Sequence, residues 1–287
     1  MTRIAYVNGR YVPHGEAAVH VEDRGYQFAD GVYEVIAVHR GRLVDEHGHL
    51  DRLERSLGEL RIAPPMARRA LRVVIGEVVR RNRLGHDGMI YLQITRGVAP
   101  RNHAFPDAAD SALVVTARRL PPFDAAAETG VDVITIPDIR WERRDIKSIS
   151  LLPNVLGKQQ AQDAGAYEAW MVDGEGHVTE GTLSNAWIVT AEGELVTRHA
   201  DRAILSGITR GAVLELARGE GIGFVERPFT VDEAKAAREA FLTGTTVLVK
   251  PVLHIDGQAV GDGRAGPLTG KLAAFYAAHM KTQEESP

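Results

Sequence analysis

Strand patterns in this chain follow one another in hairpins instead of alternating singly with helices. The clearest hairpin covers residues 4–12, where Asn8 and Gly9 lie between two alternating apolar runs. Leucines then recur at helical spacing over residues 50–60, and this helix is expected to end before Pro64. Because strands and helices are grouped, the pattern predicts α+β layers and disfavours an alternating parallel sheet.

Further elements are expected from periodicity and turn residues. A Pro-Pro pair at 121–122 marks a linker, so we expect one domain over residues 1–120 and a second over 121–287. Each half should be mixed α and β. The expected strands cover residues 31–40, 42–45, 89–96, 112–118, 131–136, 166–173, 185–190 and 194–197, and the expected helices cover 66–84, 154–164, 208–218 and 269–280.

The charge balance favours small molecules as partners. The 287 residues carry 34 Lys and Arg against 38 Asp and Glu, a net charge of -4, which gives no reason to expect nucleic acid or an anionic membrane. The first residues lack an apolar signal-peptide core, and no run approaches the length of a membrane span. We therefore expect a cytoplasmic enzyme.

Cysteine and histidine usage argues against a metal centre. The absence of cysteine excludes disulfides, thiolate catalysis and Cys-ligated metals. The segment Glu46–His49 holds two histidines, but residues two apart on a helix do not share a face. We expect this segment to be a solvated helix start and expect no bound metal.

One lysine lies in an apolar setting that suits covalent chemistry. The chain has six lysines, and Lys147 lies between Ile146 and Ile149 ahead of an expected helix, with Lys250 as a rival. A desolvated lysine has a lowered pKa and a nucleophilic neutral amine, as Schiff-base chemistry requires. Taken alone, the flanking residues still favour a strand-end lysine whose ammonium reaches solvent.

Three segments, residues 145–156, 177–185 and 204–210, resemble in order and spacing the fold type IV pyridoxal-phosphate enzymes. Residues 22–35 and 100–105 are similar to the D-amino-acid aminotransferases in particular. This resemblance, which runs from about residue 8 to residue 271, implies an α+β, two-domain fold. It consists of a small N-terminal α/β sandwich and a larger C-terminal pseudo-barrel that binds pyridoxal 5'-phosphate.

The resemblance assigns the cofactor contacts. Lys147 would form the Schiff base and move the proton between the substrate Cα and the C4′ carbon of the cofactor. Glu180 would accept a hydrogen bond from the pyridinium nitrogen, and Leu205 would pack on the ring. Taken alone, Glu180 reads as a surface acid and Leu205 as a core leucine. The phosphate ligands would be Arg52, Thr245 and the helix start at Ile208 and Thr209.

A second group of residues concerns the substrate. Arg101 and His103 are two apart, so in an extended stretch they face the same way and can converge on one carboxylate. By resemblance this pair reaches the partner's active site in a homodimer, and Tyr33 helps to hold the same carboxylate. A solvated loop over residues 97–110 would fit the composition equally well.

The sequence therefore predicts transamination between a D-amino acid and a 2-oxo acid. The alternatives are an R-selective amine transaminase, a branched-chain L-amino-acid aminotransferase, an aminodeoxychorismate lyase and a pyridoxal-phosphate-binding protein without turnover. Residues 247–250, Val-Leu-Val-Lys, depart from the run usual in the D-enzymes. This departure concerns the side-chain specificity and not the chemistry.

Overall fold

The structure, a computed structural model, describes residues 3–123 and 130–283. The chain divides into two compact units. Of the described residues, the first unit contains 3–123, 146–150 and 282–283, and the second contains 130–145 and 151–281. The five-residue segment 146–150 therefore belongs to the first unit although its chain neighbours on both sides belong to the second.

The first unit is built on one antiparallel sheet of six strands in the order β2-β1-β6-β5-β3-β4. Its strands are β1 (Ile4–Val7), β2 (Arg10–Pro13), β3 (Gly31–His39), β4 (Arg42–Leu43), β5 (Gly88–Thr95) and β6 (Ala112–Arg119). Its helices are α1 (Arg24–Phe28), α2 (Glu46–Glu59) and α3 (Arg68–Arg81), with a 3-10 turn at His14–Glu16.

The first hairpin confirms the expectation from the Asn-Gly pair. Strands β1 and β2 pair antiparallel, with Val7 opposite Arg10. Asn8 and Gly9 between them have φ angles of 42° and 89°. A two-residue turn that matches the twist of its strands needs positive φ at both central residues, and asparagine and glycine tolerate that conformation best.

Helices α2 and α3 pack their apolar faces with the sheet of the first unit. The leucines at helical spacing, Leu50, Leu53 and Leu57, are almost fully buried, as the periodicity predicted. They form one core with inward residues of β3 and β5, including Ile36 and Ile90. Helix α2 ends at Glu59, ahead of the proline that was expected to stop it.

The second unit holds a nine-stranded mixed sheet. Eight strands follow the order β12-β11-β10-β13-β14-β7-β8-β9, and β15 pairs with β14. Three pairs are parallel, namely β14 with β7, β7 with β8, and β11 with β12. The strands are β7 (Val131–Pro137), β8 (Glu168–Val172), β9 (Val178–Gly181), β10 (Asn185–Val189), β11 (Leu195–Thr197), β12 (Phe224–Glu226), β13 (Glu239–Gly244), β14 (Leu248–Ile255) and β15 (Gln258–Ala259). The helices are α4 (Leu152–Asp163), α5 (Ile208–Gly219), α6 (Val231–Ala236) and α7 (Pro267–Lys281).

Several of these elements carry no periodic signal in the sequence. Strands β13 and β14 are buried over most of their length, so their residues do not alternate between apolar and polar. The remaining unpredicted elements, α1, α6, β9, β12 and β15, have two to six residues each.

Within residues 3–123 and 130–283, no helix combines the length and apolarity needed to cross a membrane.

A buried carboxylate fixes the start of helix α7. Glu239, at the first position of β13, accepts hydrogen bonds from the backbone N–H of Leu268 at 3.1 Å and of Thr269 at 2.8 Å. The Thr269 hydroxyl donates to the same carboxylate at 2.8 Å. These contacts satisfy helix-terminal donors and place a negative charge at the positive end of the helix. They also leave no room beside Gly266, where a Cβ atom would overlap the Glu239 carboxylate.

Replacement of Gly266 by alanine is expected to lower the free energy of unfolding by about 1–3 kcal/mol, because the added methyl group must displace Glu239. Gly270, inside α7, is the matched control, since its Cβ would meet nothing within 4 Å. Gly270→Ala is expected to stabilise by about 0.5–1 kcal/mol through helix propensity. Urea unfolding of both variants measures the difference, and an equal response would contradict the role of Glu239.

Candidate active site

Lys147 lies on a short segment that extends the sheet of the first unit. The backbone N–H of Tyr33 donates to the Lys147 carbonyl at 3.0 Å, and that of Ile149 donates to Gly31 at 3.1 Å. Strand β3 pairs with β4 only at its far end, through Val38 and His39, so the first half of this edge is occupied by the lysine segment. Sheet hydrogen bonds therefore hold the Lys147 backbone in place.

The side chain of Lys147 lies over an aromatic ring. Its Nζ atom is 4.3 Å from the centroid of the Tyr33 ring, and the residue is half-buried. The rival, Lys250, is a half-buried residue inside β14 that pairs with Leu242. The Tyr33 ring stacks in turn on Tyr91 with centroids 5.7 Å apart. Burial, together with the nearby Tyr33, raises the pKa of Tyr91 to about 12, so the Tyr91 hydroxyl stays protonated.

Arg52 lies in a buried polar cluster and not on a solvated helix face. Its Nε and Nη2 atoms donate to the two carboxylate oxygens of Glu34 at 2.7 and 2.8 Å. His49 contacts the same carboxylate through Nδ1 at 2.8 Å. His49 is 2% exposed, so the expectation of a solvated helix start at residues 46–49 was wrong. Helix α2 turns this face toward β3, where Glu34 occupies an inward position.

The ionisation of this cluster follows from its burial. Burial acts to raise the pKa of Glu34, but the charge and hydrogen bonds of Arg52, with the hydrogen bond of His49, lower it to about 2. Burial lowers the pKa of His49 and keeps the imidazole neutral, so Nδ1 donates to the carboxylate. Glu34 is thus a fixed anion that orients the Arg52 guanidinium in a bidentate pair.

The side chains of Arg101 and His103 meet at one aromatic ring. The guanidinium carbon of Arg101 is 4.7 Å from the centroid of the Phe28 ring, and the His103 ring centroid is 5.2 Å from it. Both residues are exposed, in a stretch without regular strand structure. Two groups that can carry positive charge therefore lie side by side on the first unit, available to a carboxylate.

In the second unit, Glu180 is a buried acid at the centre of a hydrogen-bond network, and not a surface residue. It is 5% exposed. Arg140 donates to it from Nη1 at 2.5 Å, and the Asn185 side chain donates from Nδ2 at 3.0 Å. The backbone N–H of Leu205 lies 3.1 and 3.2 Å from its two oxygens. The Leu205 side chain itself is half-buried, unlike that of an ordinary core leucine.

Asp138 shares Arg140 with Glu180. Nε and Nη2 of Arg140 donate to Asp138 at 2.9 and 2.7 Å. Burial raises the pKa of Glu180, while the charge and hydrogen bond of Arg140 act to lower it. For Asp138, burial acts to raise the pKa, but its hydrogen bonds and charge interaction with Arg140 hold the pKa below the ordinary value. One guanidinium is thus divided between two buried acids, and Glu180 is the more basic of them.

Helix α5 begins where the sequence predicted, at Ile208 after Gly207. Gly207 provides no side-chain cap, and a Cβ atom at this position would overlap the Asn185 amide. The first backbone N–H groups of α5 and the buried hydroxyl of Thr209, 3.5 Å from the Tyr276 hydroxyl, offer donors that suit a phosphate.

Thr245 lies in the turn between β13 and β14. It is half-buried, whereas its neighbour Thr246 is exposed. Leu248, part of the departure at residues 247–250, has a φ angle of 57° and begins β14. Leu248 and Val249 are both buried, so this departure contributes to packing within the second unit.

Several residues of these networks were not identified from the sequence, namely Glu34, His49, Asp138, Arg140 and Asn185. Glu34 left a signal, because it shares the inward register of β3 with Val32 and Ile36. A charged residue at such a position must be paired. Arg140 left no such signal in the sequence, because its partner Glu180 lies 40 positions away.

Each unit, taken by itself, contains residue types that suit pyridoxal phosphate. The first unit offers a primary amine at Lys147. The second unit offers a buried acid that can pair with a ring nitrogen, Glu180, and phosphate donors at the start of α5. In the part of the chain that the structure describes, no three or more His, Cys, Asp or Glu side chains are grouped to hold a metal ion.

Comparisons with known proteins point to one family. A family model for class IV amino-transferases matches residues 31–255. The D-alanine aminotransferase of Listeria innocua is 41% identical over 273 residues, which cover 94% of this chain and 93% of that protein. The D-alanine aminotransferase of Bacillus licheniformis is 44% identical over 264 residues, covering 91% and 92%. The branched-chain aminotransferase of the archaeon Thermoproteus uzoniensis, solved with norvaline, has a TM-score of 0.89 and 26% identity, covering 100% of this chain and 97% of that one.

Replacement of Glu34 by glutamine is expected to lower the free energy of unfolding by about 3 kcal/mol at pH 7, because it removes the charge against which Arg52 is buried. The contribution of the Glu34 charge to the free energy of unfolding is complete above the ordinary pKa of 4.5. It is lost as the pH falls toward the lowered pKa of about 2. Urea unfolding of both proteins at pH 7 and at pH 3 measures the difference, which should shrink at the lower pH.

The control is Glu46→Gln, since Glu46 pairs with the partly exposed Arg72 at 2.9 Å. This substitution is expected to cost about 1 kcal/mol or less. Equal losses in the two variants would contradict a special role for the buried cluster.

Proposed function

The chain belongs to the class IV aminotransferases, which are pyridoxal-phosphate-dependent enzymes, and on this premise we propose that it transfers an amino group between a D-amino acid and a 2-oxo acid. The family and the mixed α and β fold agree with the expectation from the sequence motifs. The D-preference is carried by one observation, the meeting of Arg101 and His103 at the Phe28 ring.

We assign the cofactor contacts to the residues that the sequence motifs indicated. Lys147 is the proposed covalent attachment point, supported by its fixed backbone and its position over the Tyr33 ring. Glu180 is the proposed partner of the ring nitrogen, supported by its burial and its raised pKa. Leu205 would contact the ring. The proposed phosphate ligands are Arg52, Ile208, Thr209 and Thr245.

Pyridoxal phosphate, when bound, supplies an aldehyde that takes up the substrate amine and a ring that accepts electrons from Cα. The other roles belong to groups of the protein chain itself. Once the substrate amine has displaced it, the Lys147 amine would take the proton from the substrate Cα and deliver it to the C4′ carbon of the cofactor, and would move it back in the reverse reaction. The Glu180 carboxylate accepts a hydrogen bond from the ring nitrogen, and Arg140 keeps this acid in place. The start of α5 and Arg52 neutralise the phosphate charge.

Substrate handedness follows from where the carboxylate is held. With the cofactor anchored and Lys147 on one side, a proton can be exchanged on only one face of Cα. We propose that Arg101 and His103 bind the carboxylate, with Tyr33, so that the Cα–H of a D-amino acid points toward Lys147. The Listeria innocua and Bacillus licheniformis relatives, both named D-alanine aminotransferase, support this assignment.

The resemblance further implies a homodimer in which Arg101 and His103 serve the neighbouring chain, and we retain this as a proposal. The exposure of both side chains is consistent with it. If each active site takes this pair from the other chain, mixing a Lys147→Ala protomer with an Arg101→Ala protomer can produce one intact site per mixed dimer.

A branched-chain L-aminotransferase is the second candidate, because the branched-chain enzyme of Thermoproteus uzoniensis has a TM-score of 0.89 with this chain. The two candidates share cofactor and fold. They differ in the side chains that hold the substrate carboxylate, so enantiomer preference separates them.

Borohydride reduction of the holoenzyme is expected to fix the cofactor on Lys147, because reduction turns a labile imine into a stable amine. Peptide mapping by mass spectrometry identifies the modified residue. Lys250 is the internal control, since it is the other lysine with apolar neighbours. Label on Lys250 instead of Lys147 would move the covalent site to β14.

Half-reactions with the enantiomers of alanine and glutamate, followed at the cofactor absorbance, test the D-preference. Loss of a charge-assisted carboxylate contact costs about 1.5–3 kcal/mol, so we expect at least about a tenfold preference for the D-isomers in kcat/KM. Arg101→Ala should lower this D-preference, because it weakens binding of the D-substrate. Faster conversion of L-isomers, or indifference to Arg101→Ala, would favour the branched-chain candidate.

A further inference from the structure

The loop that carries Arg101 and His103 is held by a buried arginine with no role in the activity described so far. Arg24 is 3% exposed. Its guanidinium donates to three successive backbone carbonyls of the loop, those of Asn102 at 2.5 Å, His103 at 3.4 Å and Ala104 at 3.3 Å. These carbonyls include and flank His103, and they begin one residue after Arg101.

Helix α1 directs two of its side chains to this loop. Arg24 and Phe28 are four positions apart and therefore lie on one face of the helix. The Arg24 guanidinium carbon is 4.9 Å from the centroid of the Phe28 ring. The same ring is contacted by Arg101 and His103. One face of α1 thus supports the loop in two ways. Arg24 binds the loop backbone, and Phe28 contacts the loop side chains of Arg101 and His103.

Asp30 orients Arg24 and links it to a second arginine. Arg24 donates to Asp30 from Nε at 2.8 Å, and Arg96 donates to the same carboxylate from Nε and Nη2 at 2.7 and 3.0 Å. The Arg96 guanidinium carbon lies 3.6 Å from the centroid of the Phe105 ring, farther along the loop. Asp30 therefore connects two arginines that each contact the loop.

The start of the loop is also anchored beside α1. The backbone N–H of Arg24 donates to Gly97 at 2.9 Å, and Asp23 pairs with Val98 as an isolated bridge. Asp23 also caps α1 by accepting from Gly25 at 2.8 Å. Between these anchors and Ala112 the loop forms no strand, so its conformation depends on side chains that bind its backbone.

We propose that Arg24 is a positioning residue for substrate specificity, which sets the distance between the Arg101 and His103 charges by holding the backbone of residues 102–104 on α1. This inference rests on the proposed function, since it gives the carboxylate-binding pair a support. Arginine is needed because its planar guanidinium reaches Asp30 and the carbonyls at once, whereas a lysine ammonium is a point charge without this fork of donors.

The experiment compares Arg24→Lys, Arg101→Ala and the double variant with the wild-type holoenzyme, using D-alanine and a 2-oxo acid as substrates. Arg24→Lys is expected to raise KM for both about tenfold, equivalent to about 1.4 kcal/mol, and to leave kcat within about twofold. In the Arg101→Ala background it should add little, because residues that act through one another are non-additive.

Tryptic cleavage after Arg101 provides a readout that does not depend on activity. Cleavage of the native protein requires local opening of the loop, so Arg24→Lys should accelerate it about tenfold. Arg72→Lys is the matched control. It is the same substitution in the same unit, at an arginine that pairs with Glu46 on helix α2. It should change neither KM nor cleavage. If Arg24→Lys does not fold, Phe28→Leu removes the shared ring and is expected to raise KM in the same way.

The outcomes separate this inference from the proposed function. Unchanged cleavage and KM in Arg24→Lys, with raised KM in Arg101→Ala, would overturn the role of Arg24 and leave the D-specific site intact. A full additional loss in the double variant would show that Arg24 acts elsewhere and would also overturn the inference. No effect of Arg101→Ala on D-alanine would remove the carboxylate-binding pair, and the role of Arg24 with it.

Discussion

Buried pairs of guanidinium and carboxylate groups determine where the polar side chains of this protein can lie. A charge removed from water must be matched by an opposite charge or by hydrogen-bond donors with good geometry. The first unit meets this condition at Glu34, which takes Arg52 in a bidentate pair, and the second unit meets it at Glu180, which takes Arg140. Because such pairs fix both partners, the groups proposed to act on cofactor and substrate are attached to rigid surroundings.

Local patterns in the sequence predicted regular elements that have one buried face and one solvent-exposed face. The hairpin at Asn8 and helix α2 follow from turn chemistry and from leucine spacing. Burial on both faces removes the alternation of apolar and polar residues, so β10 was predicted from its Gly-containing turns and the similarly buried β13 was not predicted. Among the candidate site residues, the lysine at 147 could be singled out by its neighbours, whereas Arg140 could not, because its pairing depends on chain segments that only folding brings together.

The same fold accommodates enzymes named for different substrates. The D-alanine aminotransferases of Listeria innocua and Bacillus licheniformis share 41% and 44% identity with this chain, and the branched-chain enzyme of Thermoproteus uzoniensis superimposes with a TM-score of 0.89 at 26% identity. Backbone similarity is therefore compatible with either preference, and specificity has to be sought in particular side chains. In this protein the exposed loop after β5 lacks strand structure and has a defined anchor on α1, which suits a specificity determinant.

The short segment 146–150 also affects how the protein could be divided or rearranged. The chain leaves the first unit, returns to it for these five residues and leaves again. A fragment cut near residue 123 would keep all six strands of the first sheet but would lose the hydrogen bonds that cover the start of β3. Such an open edge invites pairing with other chains, so the fragment would be prone to aggregation as well as lacking its lysine. Because residues 146–150 belong to the first unit, neither unit is one continuous stretch of chain, and a single cut cannot separate them.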